Sequence, residues 1–548
     1  MRDGLLETRN RKDAQTRIGS HQISASLRLR GFSARAVAKW AEIRQEPAYR
    51  VVSVALKERI RHRLADEVGR IQKQAPFTVA LCYPSPYSAG MSSLGYQRIY
   101  RALMDAPGIA CERAFLDDEC ESDAAIAAEH PVTYESMRPI EHLPVLAFSV
   151  AYELEIAGLV RMLNAANIPA RRRERDERHP LVIAGGPLTF SNPMPLAGIV
   201  DAIVVGEADA RAVLVIRAAE EGGTRADQLD RLAKIPHVFV PTHHRELPTV
   251  GAEDDAILPA HSAIRTPHTV LSNMFLIETE RGCSRGCSYC VMRRSTNGGM
   301  RIVPAERVLE TIPADAHRVG LVGAAVSDHP KIVSIVNALA DRGCEVGLSS
   351  LRPDRLANTE GFVAALARVG YRTLTTAMDG SSERVRETLD RRARPKHLLE
   401  CAALAKRHGM DRLKLYLMIG TPGETDADVD ECIAFTAEIS RIVPLALGIA
   451  PFCPKRNTPL DAAPFAGIRA VEHSLDRLRK GLRGRVDVRA TSARWAWVEY
   501  VLAQGGEAEG LAILTAVTEG GSFRAYERAF AAIERTPRRK LSLATDSP

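Results

Sequence analysis

The chain of 548 residues contains no apolar run of membrane-spanning length. Stretches such as "GIVDAIVVG" are strand-length and broken by an acid, so no transmembrane helix is expected. The opening "MRDGLLETRNRKDAQ" puts charge where a secretion signal needs an apolar core, which predicts the cytoplasm. Aromatic residues are scarce, at 5% with three Trp. That scarcity weighs against nucleic-acid binding by the basic leader, residues 1–75, which carry 17 Lys/Arg against 8 Asp/Glu. An arginine-rich solvated helix explains the same charge, and nucleic acid is a partner without further support. Seven of the ten cysteines, at 82, 111, 120, 344, 401, 432 and 453, are too scattered for a disulfide framework and suit a reducing compartment.

What is present is alternation. At 45% hydrophobic and 26% charged residues the chain is globular, and its length implies two or three domains. After a helical or partly disordered extension (1–75), residues 76–220 alternate strands ("FTVALCY", "VLAFSV", "HPLVIAG", "VDAIVVG") with helices. This pattern predicts a doubly wound, Rossmann- or flavodoxin-like α/β domain on a parallel sheet. A linker rich in His, Pro and Thr (221–272) leads to six further strand candidates, "NMFLIETE", "RVGLVGAAV", "CEVGLSS", "YRTLTTAMD", "RLKLYLMIG" and "PLALGIAPF". Helices fill the gaps between them, so residues 273–460 predict a partial (βα)6 barrel, and 461–548 a helical region.

The remaining three cysteines, Cys283, Cys287 and Cys290, fall within eight residues, "CSRGCSYC". They lie just after the first barrel strand, where barrel folds place active sites. Zinc in a structural site takes four ligands, and the nearest histidine, His268, is fifteen residues upstream. A 4Fe–4S cluster held by three thiolates keeps one iron free for a ligand. Gly282 and Gly286 allow a close wrap, and Arg281 and Arg285 are placed to offset thiolate charge.

The Cys-x3-Cys-x2-Cys spacing at the opening of a (βα)6 region resembles the radical S-adenosylmethionine (SAM) superfamily. "MIGTPGET" (418–425) is similar to its fifth-strand turn near the adenine, implying a role for Gly420. "TTAMDGSSERVRETL" resembles its fourth-strand segment, implying Asp379 at the ribose and Ser382 and Arg384 at the SAM carboxylate. "SSLRPD" and "PFCPKRNTPL" look like third- and sixth-strand ends of members that carry an N-terminal cobalamin-type domain. The cradle for the SAM amino group is normally Gly-Gly-Glu. Here Gly323 to Ala325, in "VGAAVSDHP", is the nearest match, without the acid. Tyr289, before the last thiol, joins the implied SAM site. The resemblance implies that cluster and SAM together generate a 5′-deoxyadenosyl radical, with an electron donor such as ferredoxin or flavodoxin.

Residues 76–220 resemble the cobalamin-binding-like domain of that class, with Ser149 near a nucleotide tail and Gly185 and Gly186 in its Gly-Gly-Pro segment. The loop after the first strand, "YPSPYSAGMSSLG", has no histidine to ligate cobalt, so cobalamin binding stays open. Cobalamin-dependent methyl transfer and oxidoreduction on an unidentified substrate are the main readings. A methylthiotransferase, with a second cluster on Cys82, Cys111 and Cys120, is the enzymatic alternative. A non-catalytic iron–sulfur regulatory or electron-transfer protein is the other. Cys453, Asp328 with His329, and the "PTHHRE" residues His243, His244 and Glu246 have packing, capping and solvated-linker readings beside chemical ones.

Overall fold

The computed structural model describes residues 52–117, 130–293, 298–348 and 351–533. Most of the basic extension, Cys120, Ser349, Ser350 and the last fifteen residues lie outside the described residues. Helix α1 (Val54–Ala65) opens the described chain, capped by Ser53, whose Oγ accepts the Leu56 N–H at 3.0 Å. It ends at Ala65 rather than running on through "VGRIQKQ".

Strands β1 (Phe77–Tyr83), β2 (Ile109–Phe115), β3 (Val145–Ser149), β4 (Leu181–Gly185), β5 (Ala202–Val204) and β6 (Val238–Phe239) form one sheet in the order 2-1-3-4-5-6. All neighbours run parallel except β5 and β6. This is the expected doubly wound domain, with its order reversing between β1 and β3. Helices α2 (Leu94–Asp105), α4 (Arg211–Glu220) and α5 (Arg225–Leu232) cover one face together with α1. Helix α3 (Glu155–Ala165) covers the other. The first part of the sequence-defined linker therefore supplies a helix and an edge strand to this sheet.

Strand β2 is the element the sequence reading passes over. Its run "IACERAF" carries Arg113 at its centre, yet that side chain is fully buried. The guanidinium donates to both carboxylate oxygens of Glu67, at 2.7 and 2.9 Å, and to Glu135 at 2.6 Å. A charge inside a core strand is tolerated here because its donors are matched bidentately.

The second half contains the six expected strands: β7 (Phe275–Glu278), β10 (Arg318–Val322), β11 (Glu345–Leu348), β12 (Thr373–Asp379), β13 (Arg412–Ile419) and β14 (Leu445–Pro451). A short antiparallel pair, β8 (Glu280–Arg281) and β9 (Arg301–Ile302), follows β7. The barrel strands form two parallel sheets, 11-10-7 and 12-13-14-15, so the barrel is open. Strand β15 (Asp487–Ala490) extends the second sheet from within the region expected to be helical. Its alternation of exposed Asp487 and Arg489 with half-buried neighbours suits an edge position. Helices α6 (Ala305–Thr311), α7 (Ile332–Asp341), α8 (Glu360–Arg368), α9 (Glu383–Thr388), α10 (Pro395–Arg407), α11 (Asp426–Ile442) and α12 (Ile468–Gly481) accompany the strands. Those of them that carry buried aliphatic residues in the barrel core include α7, α8, α10 and α12.

The C-terminal helices α13 (Ala493–Gln504), α14 (Glu507–Thr518) and α15 (Phe523–Ala531) return to the N-terminal domain. Val498, Leu502, Ile513 and Tyr526 share a core with Phe148, Ile156 and Leu159. The approach is close enough that a Cβ on Gly510 would fall 1.7 Å from the Pro195 carbonyl oxygen. From Val52 onward the chain is therefore one compact unit.

Candidate functional site

Cys283, Cys287 and Cys290 lie in the loop that joins β8 to β9, directly after the first barrel strand. Cys287 is buried, at 7% exposure, and the other two are half-buried. Burial raises the thiol pKa of all three; Cys283 also feels Cys287, and Cys290 feels both of the others. Cys290, beside both, is pushed up to about 11. Buried thiols held this close together favour their protonated forms. A metal centre that takes thiolates would displace those protons.

The cation beside this loop is not the expected one. Arg281 donates to Glu278 at 2.7 Å and to Asp209 at 3.0 Å. Arg285 reaches Asp328 at 3.3 Å. Both arginines are thus paired with carboxylates. Arg391, in the loop after α9, hydrogen-bonds Cys287 and opposes the burial effect on its thiol. The Cys287 Sγ also lies 3.7 Å from the Asp390 carbonyl. The signal for Arg391 in the sequence is only its place in "LDRRARPK", where four cations compete.

Arg391 is held in turn by Asp379, at 2.7 Å from Nε to Oδ2. Tyr289 donates its hydroxyl to the same carboxylate oxygen at 2.9 Å. Asp379 takes a left-handed backbone conformation, φ 65°, uncommon for a residue with a side chain and a mark of a constrained site. Strand end, cluster loop and Arg391 are therefore one network. Ser382 and Arg384 are placed otherwise: Ser382 caps α9 and donates to Asp428 at 2.6 Å, and Arg384 pairs with Asp428 and the Gly423 carbonyl. The turn "GTPGE" folds around Glu424, whose carboxylate accepts the Gly420 N–H and the Ser381 hydroxyl. Gly420 itself has φ 71°.

Glu280 was not singled out by the sequence. It is fully buried, accepts the Ala325 N–H at 2.6 Å through Oε1, and leaves Oε2 without a hydrogen-bond partner. Burial, with Glu278 and Asp328 nearby, pushes its carboxyl up to about 7. A Cβ on Gly323 would lie 2.1 Å from Glu280 Oε1, so only glycine fits against this carboxylate. The Gly323–Ala325 segment, which has no acid of its own, thus has one placed against it from β8.

A large, mostly apolar cleft connects this corner with the N-terminal domain. It offers about 400 Å³ to water-sized molecules, is open to solvent, and runs along the carboxyl ends of β1, β3, β4 and β5. Ser149, Gly185 and Gly186 line one end, and Glu280, Gly282 and Gly323 the other. Gly186 has φ 106° and sits so close that a Cβ would fall 2.7 Å from the Val150 carbonyl oxygen. Among the described residues, no histidine or cysteine lines the cleft.

The remaining candidates resolve into structure. Cys82 and Cys111 are fully buried on opposite faces of the N-terminal sheet, so they cannot share a cluster. His243 bonds Asp230 at 2.7 Å, and His244 accepts the Val240 N–H at 3.0 Å. His329 bonds the Val303 carbonyl at 2.8 Å and accepts the Lys331 N–H. Asp328 collects Arg285, Arg352 and Arg355. Cys453 is half-buried beside Lys455, which bridges Glu153 and Glu499 at 2.6 Å each.

An open barrel with three thiols in the loop after its first strand, coupled to a doubly wound domain, defines an iron–sulfur enzyme architecture. Residues 277–436 match the radical SAM superfamily, and residues 95–241 match the family described as radical SAM proteins, N-terminal. The chain belongs to the radical SAM superfamily and is one of its enzymes. Membership implies a 4Fe–4S cluster, SAM, a reductant and a substrate. An uncharacterised protein of Methanocaldococcus jannaschii is 25% identical over 71% of this chain and 80% of its own. The 2-(S-pantetheinyl)-carbapenam-3-carboxylate methyltransferase of Streptantibioticus cattleyicolor is 26% identical over 55% of this chain. That match spans 47% of the methyltransferase, about half its length. Among solved structures, the cobalamin-dependent SAM radical enzyme OxsB with aqua-cobalamin bound aligns at TM-score 0.44 and 11% identity. The alignment covers 75% of this chain and 58% of OxsB. No helix among the described residues is long and apolar enough to cross a membrane.

The residues present fit the implied groups. Three adjacent thiols suit a cluster with one open iron. Glu280 packs its Oε1 against Gly323 and leaves its buried Oε2 unpartnered, which suits a cationic ligand group.

Proposed function

We propose that this protein is a cobalamin-dependent radical SAM enzyme whose reaction is methyl transfer to an organic substrate. The observation that carries the reading is the continuity of the cleft: a ligand lying on the carboxyl ends of β3 and β4 shares one cavity with the corner occupied by Glu280, Gly282 and Gly323. In a doubly wound sheet, ligands bind outside the carboxyl ends of the strands near the point where strand order reverses. The cleft walls are mainly apolar, and the cleft opens to solvent, so a large ligand can extend out of it. Without a lining histidine, cobalamin would sit there with no imidazole from the protein on cobalt. The methyltransferase relative supports methyl transfer over oxidoreduction.

In this reading Cys283, Cys287 and Cys290 would hold the cluster, which, once reduced, would supply the electron for cleaving a C–S bond of bound SAM. Glu280 accepts the SAM ammonium, with Gly323 giving it room. Asp379, fixed by Tyr289 and Arg391, faces the nucleoside, and Gly420 shapes the adenine end. Ser382 and Arg384 reach the SAM carboxylate only by giving up Asp428. Arg391 screens Cys287, and the apolar cleft keeps water from the reacting centre. The nine described cysteines are all free, in keeping with a cytoplasmic enzyme reduced by a ferredoxin or flavodoxin.

The test is anaerobic. Protein reconstituted with iron and sulfide is given dithionite and SAM, with and without cobalamin, beside Cys287→Ala. Formation of 5′-deoxyadenosine by the wild type alone, and S-adenosylhomocysteine only when cobalamin is present, are the expected results. Failure to bind cobalamin, read from its visible spectrum after gel filtration, would remove the cobalamin assignment and leave the superfamily chemistry standing.

A further inference from the structure

At the end of α1 a second group of metal-type ligands comes together, separate from the cysteines. His62 is in the last turn of α1 and Asp66 is its C-terminal cap, four residues on, so both side chains share one face of the helix end. His268 arrives from the segment leading into β7, across 202 residues of sequence. Its Nε2 lies 2.7 Å from Asp66 Oδ2, and His62 Nδ1 lies 3.8 Å from the same oxygen. One donor atom from each of the three side chains falls within 4.8 Å of the others. The two imidazoles meet edge to face, with centroids 4.9 Å apart.

This arrangement has the chemistry of a zinc-type site. Two imidazoles and a carboxylate are ordinary Zn²⁺ ligands, and metal–ligand bonds of about 2.0–2.1 Å put tetrahedral ligands about 3.3 Å apart. Opening the 2.7 Å contact and closing the others takes shifts on the order of 1 Å, within reach of solvent-exposed side chains. The exposed carbonyls at a helix C-terminus favour a cation there. The nearby α1 arginines Arg59 and Arg63 are turned to Asp117 and Tyr134. Solvent exposure leaves the fourth position to water.

We propose that His62, Asp66 and His268 bind one divalent zinc-type cation that clips the end of α1 to the strand entry of the barrel. The clip reinforces the single backbone bridge already present beside it, between Val68 and Arg265. A ligand that binds only the folded chain stabilises it by mass action. The proposal stands independently of the reaction the enzyme catalyses.

The experiment uses cluster-loaded protein, whose three cysteines are occupied and so do not compete for zinc. Anaerobic titration with ZnCl₂ is expected to show one equivalent bound, a rise in Tm, and, with Co²⁺ in its place, ligand-field bands of a nitrogen/oxygen site. The variant His62→Ala/His268→Ala is expected to keep its iron content and lose the zinc equivalent, the Tm response and the Co²⁺ bands. Wild-type protein that binds no zinc, or a double variant that still binds the same equivalent, would overturn the proposal.

Discussion

Tyr289 donates its hydroxyl to Asp379 Oδ2, tying the residue before the last cysteine to the end of β12. The same oxygen holds Arg391, which in turn touches Cys287. The thiol loop is therefore held at two neighbouring points, Cys287 and Tyr289, through one carboxylate on a strained residue. Replacing Asp379 by Ala leaves Arg391 buried without its partner, which is expected to cost about 3–5 kcal/mol. Tyr289→Phe removes a single hydrogen bond and is expected to cost about 1 kcal/mol. Urea unfolding of the cluster-free proteins checks the ranking, and iron content after limiting reconstitution should fall further for Asp379→Ala than for Tyr289→Phe. Equal effects of the two substitutions would show that Arg391 does not depend on Asp379.

Glu280 makes stability depend on pH with a definite sign. Its folded pKa is raised from 4.5 to about 7, so between these values the folded chain holds a proton the unfolded chain has lost. Stability therefore falls as pH rises through this window, and the shift corresponds to about 3 kcal/mol. Glu280→Gln keeps the Ala325 N–H acceptor and removes the charge. The variant is expected to match the wild type near pH 4.5 and to be more stable above pH 7. A stability gap that stays constant across that range would refute the assignment. With SAM bound the order should reverse, because the ionised carboxylate then has a cation to meet.

The strands of the N-terminal sheet and of the two barrel sheets were legible wherever apolar residues ran together or alternated, and the six barrel strands were found on that basis. β2 was hidden by Arg113, whose partners Glu67 and Glu135 come from 46 and 22 residues away. β15 was hidden by its polar edge character. The cysteine loop was legible because its spacing is local. Glu280 and Arg391 were not, since their roles arise only when β8 meets the Gly323 loop and the loop after α9 meets Cys287. The helical character of the C-terminus was plain, while its partner, the N-terminal sheet, depended on packing no local pattern encodes.

Arg113 also yields a direct test of how β2 is retained. Glu67→Gln keeps the shape and one acceptor but leaves the guanidinium with half its neutralising charge. It is expected to destabilise by about 3–5 kcal/mol, because a buried pair is being broken and not exchanged for apolar groups. Arg113→Met, which removes the charge with its need for a partner, should be milder than Glu67→Gln only if Glu67 can relax toward solvent. Its own carboxylate is fully buried, so the two are expected to be comparably harmful. Chemical denaturation of the three proteins at pH 7 decides this, and a near-neutral Glu67→Gln would show that Glu135 alone suffices.

The last prediction concerns the return of the C-terminal helices. Gly510 on α14 approaches Pro195 so closely that a methyl group would overlap the carbonyl oxygen at 1.7 Å. Both partners are backbone, so the overlap can be relieved only by moving α14 away from the segment it covers. Gly510→Ala raises helix propensity by about 1 kcal/mol in isolation. Strain from overpacking, typically about 1–3 kcal/mol, opposes it and is expected to win, given a contact far inside van der Waals distance. The variant should lose stability while its cysteine loop, on the barrel side, still loads iron. Hydrogen exchange should then show faster opening in α13 to α15 and in α3, which share a core, with the barrel helices unchanged. Uniform loosening of the whole chain would instead mean that the C-terminal helices and the barrel unfold as one unit.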